Sequence, residues 1–175
     1  MNDTIELRFY CFVNFYLSSI QQGIQTGHAA VDLVRKYALD GEEDPSVEEL
    51  RRAAVVVDWA DNHKTFIILN GGDNDGISHA QNIISATDLP WAKFHESEGA
   101  LDGLRTCVGA VIPDFIFNAT LDVDLTKEMA ARFDDKKIYS FTCENESGFD
   151  PKIVFFPDDR YYALIELLRS SRLAS

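Results

Sequence analysis

Residues 7–17 form a nearly unbroken run of aromatic and aliphatic side chains in which only Arg8 and Asn14 are polar. Such a run suits a central strand covered on both faces. Ser18 or Ser19 can cap the helix that follows, and its apolar positions Ile20, Ile24, Val31 and Val34 recur at helical spacing through Tyr37. Residues 40–44 read as an acidic turn closed by Pro45. Ser46 followed three residues later by Glu49 is a capping box, which predicts a second helix over about 47–61. Its interior, 53–57, is helical by context, because Val55-Val56-Val57 alone would also suit a strand.

A second strand is predicted over 64–69, ended by the turn formers Asn70-Gly71-Gly72-Asp73-Asn74-Asp75-Gly76. A third helix over 77–86 would bury Ile77, Ala80, Ile83 and Ile84. Leu89-Pro90 then leads into a short strand, 91–95, and a polar loop over 96–103 precedes a fourth strand, 104–112, stopped by Pro113. Beyond it the pattern is less regular. Residues 115–121 fit a strand or irregular chain, 126–133 a short helix, 137–142 and 152–156 two strands, and Asp158 or Asp159 would cap a last helix to about residue 171.

Strands alternating with helices predict an α/β fold, a single domain with a mixed β-sheet of about four strands flanked by helices. Residues 1–113 form the expected core, and 114–175 a C-terminal α/β extension packed on the same domain. A length of 175 residues with 46% hydrophobic composition suits one domain with a true core. With no run of about 18 apolar residues and no secretory leader pattern, a soluble, cytoplasmic protein without membrane contact is expected. Cys11, Cys107 and Cys143 lack metal-ligand or disulfide spacing and read as free thiols.

A formal charge of −13 disfavours a broad nucleic-acid footprint, which is built from Lys and Arg contacts to phosphates. It leaves room for a local basic patch among the 16 basic residues, or for an acidic surface that meets a basic protein partner. No phosphate-binding loop, dinucleotide fingerprint or nucleophile elbow is present, so no cofactor and no metal are expected. Asp73 and Asp75 resemble part of a calcium loop, but the bidentate glutamate is missing and a helix cap is the simpler reading.

The candidate chemistry lies at the start of the first helix. Gln21, Gln25 and His28 share one helical stripe, and Gly23 and Gly27 lie four apart on an adjacent one, where missing side chains admit a close neighbour. Asp32, four residues beyond His28, could orient the imidazole. Glu96 and Glu98 put two carboxylates on one loop, a pair able to share a proton and act as a general base when partly buried.

The order of these elements, with Gln25-Thr26-Gly27-His28-Ala29 at the first helix and Leu89-Pro90 before a short strand, resembles the type 2 peptidyl-tRNA hydrolases over residues 7–113. That family opens its helix with a motif of the form G-K-x-x-x-Q-x-x-H-A, which aligns Gln25 with its glutamine, His28-Ala29 with its His-Ala, and Gln21 with its lysine. Where the family carries Asp-Ala-Gly-Arg-Thr-Gln, this chain has Glu96-Ser97-Glu98-Gly99-Ala100-Leu101, and Arg105-Thr106 comes later. The resemblance implies an esterase for peptidyl-tRNA with His28, Gln25 and Glu96 around the reacting water, and Gln21, Gly23, Gly27, Asp32 and Glu98 near the substrate. The missing lysine and Arg-Thr-Gln step imply that ordinary hydrolysis is lost or changed. The alternative is a catalytically silent acidic binding or adaptor protein, either a homodimer or the ligand of a basic partner, with tRNA bound only where a local basic patch exists.

Overall fold

The computed structural model describes residues 5–38, 44–97, 99, 103–118 and 159–174. Its centre is β1, Leu7–Val13, whose side chains are nearly all buried. β2, Thr65–Asn70, pairs with it in parallel from Arg8 opposite Thr65 to Val13 opposite Asn70. β4, Arg105–Pro113, pairs antiparallel on the other side, and β3, Trp91–His95, pairs antiparallel with β4. The sheet order is β2-β1-β4-β3. This is a mixed α/β domain with a four-stranded mixed sheet and flanking helices.

The first strand stops four residues earlier than the apolar run. Asn14 is buried, and its side-chain carbonyl accepts from the Tyr16 N–H (3.0 Å), a local bond that competes with the ladder and turns the chain. Phe15 and Tyr16 are consequently left exposed, their rings 3.9 Å apart between centroids.

α1, Ser19–Tyr37, and α2, Val47–Asp58, start with capping boxes: Ser18 with Gln21, and Ser46 with Glu49. After α2 the chain makes a wider turn over Trp59–His63, closed by the Lys64 N–H to the Trp59 carbonyl (2.9 Å), which leaves Lys64 left-handed at φ 53°. That turn drives Trp59 into the core against Phe9 and Phe66. α3, Asn74–Ser85, begins three residues before the position set by its first apolar residue, because Asp73 accepts from the Asp75 and Gly76 N–H groups (3.1 Å each). The short α4, Asp114–Phe117, follows β4, and α5, Asp159–Ser170, packs on α3 through a buried face that includes Tyr161, Leu164 and Ile165. Residues 172–174 then lie along β2, with the Asn70 N–H donating to the Arg172 carbonyl (2.8 Å) and the Ala174 N–H to that of Ile68 (2.9 Å). The elements expected over 126–133, 137–142 and 152–156 lie outside the described residues.

The two faces of the sheet are filled from its alternating side chains. Phe9 and Cys11 point to the side of α1 and α2, while Tyr10 and Phe12 point to the side of α3, α4 and α5. Packing beside β1 is tight enough that a Cβ at Gly109 of β4 would sit 2.8 Å from the Phe9 ring and 2.9 Å from Cys11 Sγ. Only glycine fits there. α1 turns its apolar repeat away from the sheet: it buries Gln22, Gln25, Thr26, Ala29, Ala30, Leu33 and Tyr37, while Ile20, Ile24, Val31 and Val34 face outward. Among the described residues no helix is long and apolar enough to cross a membrane.

Candidate functional site

Gln25 is the hub of the seam between α1 and the β3–β4 end of the sheet. It is only 5% exposed, so both ends of its amide need partners. Its Nε2 donates to Glu96 Oε1 at 2.5 Å, and its Oε1 accepts from the Thr106 hydroxyl at 3.3 Å. Glu96 itself is half-buried and is placed by its backbone, whose N–H donates to the Leu104 carbonyl (3.0 Å) and so continues the β3–β4 pairing past His95. His95 Nδ1 meets the Gly103 carbonyl at 3.1 Å, which fastens the same loop.

Thr106 reaches this site because the β3–β4 register slips. Phe94 is opposite Cys107 but His95 is opposite Arg105, leaving Thr106 as the extra residue of a bulge. Thr106 thereby turns toward Gln25 while Arg105 turns to the other side, where its Nη1 donates to Ser78 Oγ of α3 (3.0 Å). Spacing along the chain did not reveal Thr106, since a bulge depends on two strands together. Arg105, its neighbour, is not part of the site.

His28 lies at the rim. Its ring is exposed on one face and stacked on Phe94 of β3 on the other, with centroids 4.6 Å apart and planes at 17°. Among the described residues no hydrogen bond or ion pair within 4 Å joins it to Asp32. Gln21 shares the stripe of Gln25 and His28 but is spent on the cap: its Oε1 accepts from the Ser18 N–H (3.0 Å) and Oγ (2.9 Å). Gly23 and Gly27 are exposed, and a Cβ at either would meet nothing within 4 Å, so no other part of the described chain approaches their backbone. Glu98 lies outside the described residues.

One helical turn beyond His28, the seam opens into a groove of about 480 Å³ lined by Asp32, Arg35, Lys36, Trp91, Ala92 and Lys93. Three of these are cations and one is an acid, in a chain whose overall balance is −13. Lys36 is anchored: its Nζ donates to the Trp91 carbonyl (2.9 Å) and sits 4.2 Å above the Trp91 ring centre. Arg35 and Lys93 are exposed. Of this group the sequence marked Asp32 alone, although Arg35 and Lys36 follow His28 at seven and eight residues, the same spacing of one helical face.

Below Gln25, Cys11 is fully buried near Thr26 and Cys107. Burial, with Cys107 beside it, pushes the Cys11 thiol well up, which keeps it neutral and unreactive. Both Cys11 and Cys107 are free thiols. Among the described residues no three His, Cys, Asp or Glu side chains gather to hold a metal ion.

The arrangement therefore offers a carboxylate held at one oxygen by an amide, a solvent-facing imidazole stacked on Phe94 of β3, and a small basic groove one helical turn further on. No family model matches this sequence, and no curated protein matches it.

Proposed function

We propose that this chain is a divergent type 2 peptidyl-tRNA hydrolase-like esterase, in which the amide and carboxylate of the site are kept and the cation of the family motif is gone. The observation that carries the reading is the Gln25–Glu96 contact, which joins residues 71 apart in sequence that the resemblance assigns to one site. The bulge that adds Thr106 and the basic groove beside His28 support it further. In this reading a water attacks the ester carbonyl carbon and its proton passes to Glu96, with His28 able to hold it in turn. The bond from that carbon to the ribose oxygen breaks, and the leaving oxygen takes a proton from the same groups. Arg35 and Lys93 would hold phosphates of the acceptor end, a short basic track in place of a broad footprint. With Gln21 folded into the helix cap, no cation among the described residues pairs with Glu96 to stabilise the developing oxyanion, and turnover is slow.

Incubating an excess of the purified chain with peptidyl-tRNA should release peptide slowly. Glu96→Gln should abolish that release and Gln21→Lys should raise it. Release that survives Glu96→Gln would overturn the site assignment. No release from either the natural chain or Gln21→Lys would remove the esterase reading. It would favour the second reading, a catalytically silent acidic binding protein, for which the commitment of Gln21 to the cap is the supporting observation.

A further inference from the structure

The outward face of α1 is apolar along its whole length. Ile20 is 78% exposed, Ile24 50%, Val31 58% and Val34 43%, although each is large enough to belong in a core. Together with Gly27 and Ala38 they occupy positions 20, 24, 27, 31, 34 and 38, separated alternately by four and three residues. That alternation of fours and threes is the seam of a paired helix. We propose that this face is the interface of a homodimer, in which α1 packs antiparallel against α1 of a second copy about a two-fold axis.

Three features select a second copy over other occupants. First, the seam fits itself. With the axis beside residue 29, Val31 of one copy enters the gap left by Gly27 of the other, Ile24 meets Val34, and Ile20 meets Ala38, so a bulky side chain always faces a smaller one. The open space around Gly27 allows this approach. Second, the charge permits it. Two chains of −13 repel over most of their surface, but α1 carries only Asp32, Arg35 and Lys36 as charged residues, so the acidic surplus is missing from this face. Arg35, the charge nearest the seam, comes opposite residues 21–23 of the second copy, which are uncharged. Third, Asn118 and Asp159, the described residues that flank positions 119–158, both lie on the α3 side of the sheet, opposite α1.

Light scattering on the full chain should give twice the chain mass. Ile24→Asp and Val31→Asp should halve it while leaving the circular dichroism spectrum and melting curve of a folded protein. Val57→Asp, at an exposed position on α2, should leave the dimer intact. In a Cys143→Ser background, mixed Ile24→Cys and Val34→Cys proteins should form a disulfide with each other while neither links to itself, which separates the antiparallel arrangement from a parallel one. A monomer at the highest soluble concentration overturns the proposal. So does a monomer whose Ile24→Asp variant melts at lower temperature, the sign that residues 119–158 cover the face instead. Self-linking of each single cysteine variant would overturn the antiparallel geometry.

Discussion

α1 and α3 lie on opposite faces of one sheet and treat their apolar side chains in opposite ways. α3 sends Ile77, Ala80 and Ile84 into the core and shows solvent a polar face. α1 turns amides, a hydroxyl and alanines toward the sheet, along with Leu33 and Tyr37, and leaves two isoleucines and two valines outside. Both helices are amphipathic, yet only one is oriented by the hydrophobic effect of this chain alone. What compensates on the α1 side is specific: the Gln25 amide is satisfied at both ends, and the small side chains of Ala29 and Ala30 let the helix lie close to the sheet. A helix that gives up apolar burial in this way is positioned by its polar partners, and its outer face is left for something else.

The sharpest way to break this contrast is a matched pair of truncations. Ile84→Ala should lower the unfolding free energy by about 2–5 kcal/mol, whereas Ile24→Ala in dilute solution should change it by less than about 0.5 kcal/mol. Chemical denaturation of both variants measures the difference, and equal losses would mean that α1 is packed like α3. A smaller effect comes from Tyr161, which joins α5 to the end of α3. Its hydroxyl accepts from the Asp88 N–H (3.4 Å), and Tyr161→Phe should cost about 0.5–1.5 kcal/mol at neutral pH.

Burial, and then the charge of Asp88, hold the Tyr161 phenol well above its ordinary value, so the folded protein keeps a proton that the unfolded chain releases near pH 10. Stability should therefore be full below about pH 10 and fall as pH rises past it, and Tyr161→Phe should flatten that fall in denaturation curves taken across the alkaline range. Smallest of all, and of opposite sign, Gly27→Ala should raise the melting temperature of dilute protein by an amount worth about 0.4–1 kcal/mol, since a helical glycine with open space around it gains from a methyl group. A loss there would show that the backbone at Gly27 is already in close contact.

Local chemistry was well written in the sequence. The Ser46–Glu49 box and the five residues of β3 could be read directly, because a cap or a short edge strand depends on its own neighbours. The end of β1 at Val13 was masked by three more apolar residues, and only the buried Asn14 accounts for it. The periodicity of α1 identified which residues share a face but not which face meets the sheet, since that choice follows from partners far along the chain such as Glu96 and Thr106. The bulge at Thr106 and the sheet order β2-β1-β4-β3 arise from pairing between strands and have no local signature.

The last described residues carry a consequence of their own. By accepting from Asn70 and donating to Ile68, the segment around Leu173 occupies hydrogen-bonding groups that β2 would otherwise hold out to any passing strand. It works as a hem on the fabric of the sheet, and clipping three amino acids from it would turn a guarded border into a template for sticking to neighbours.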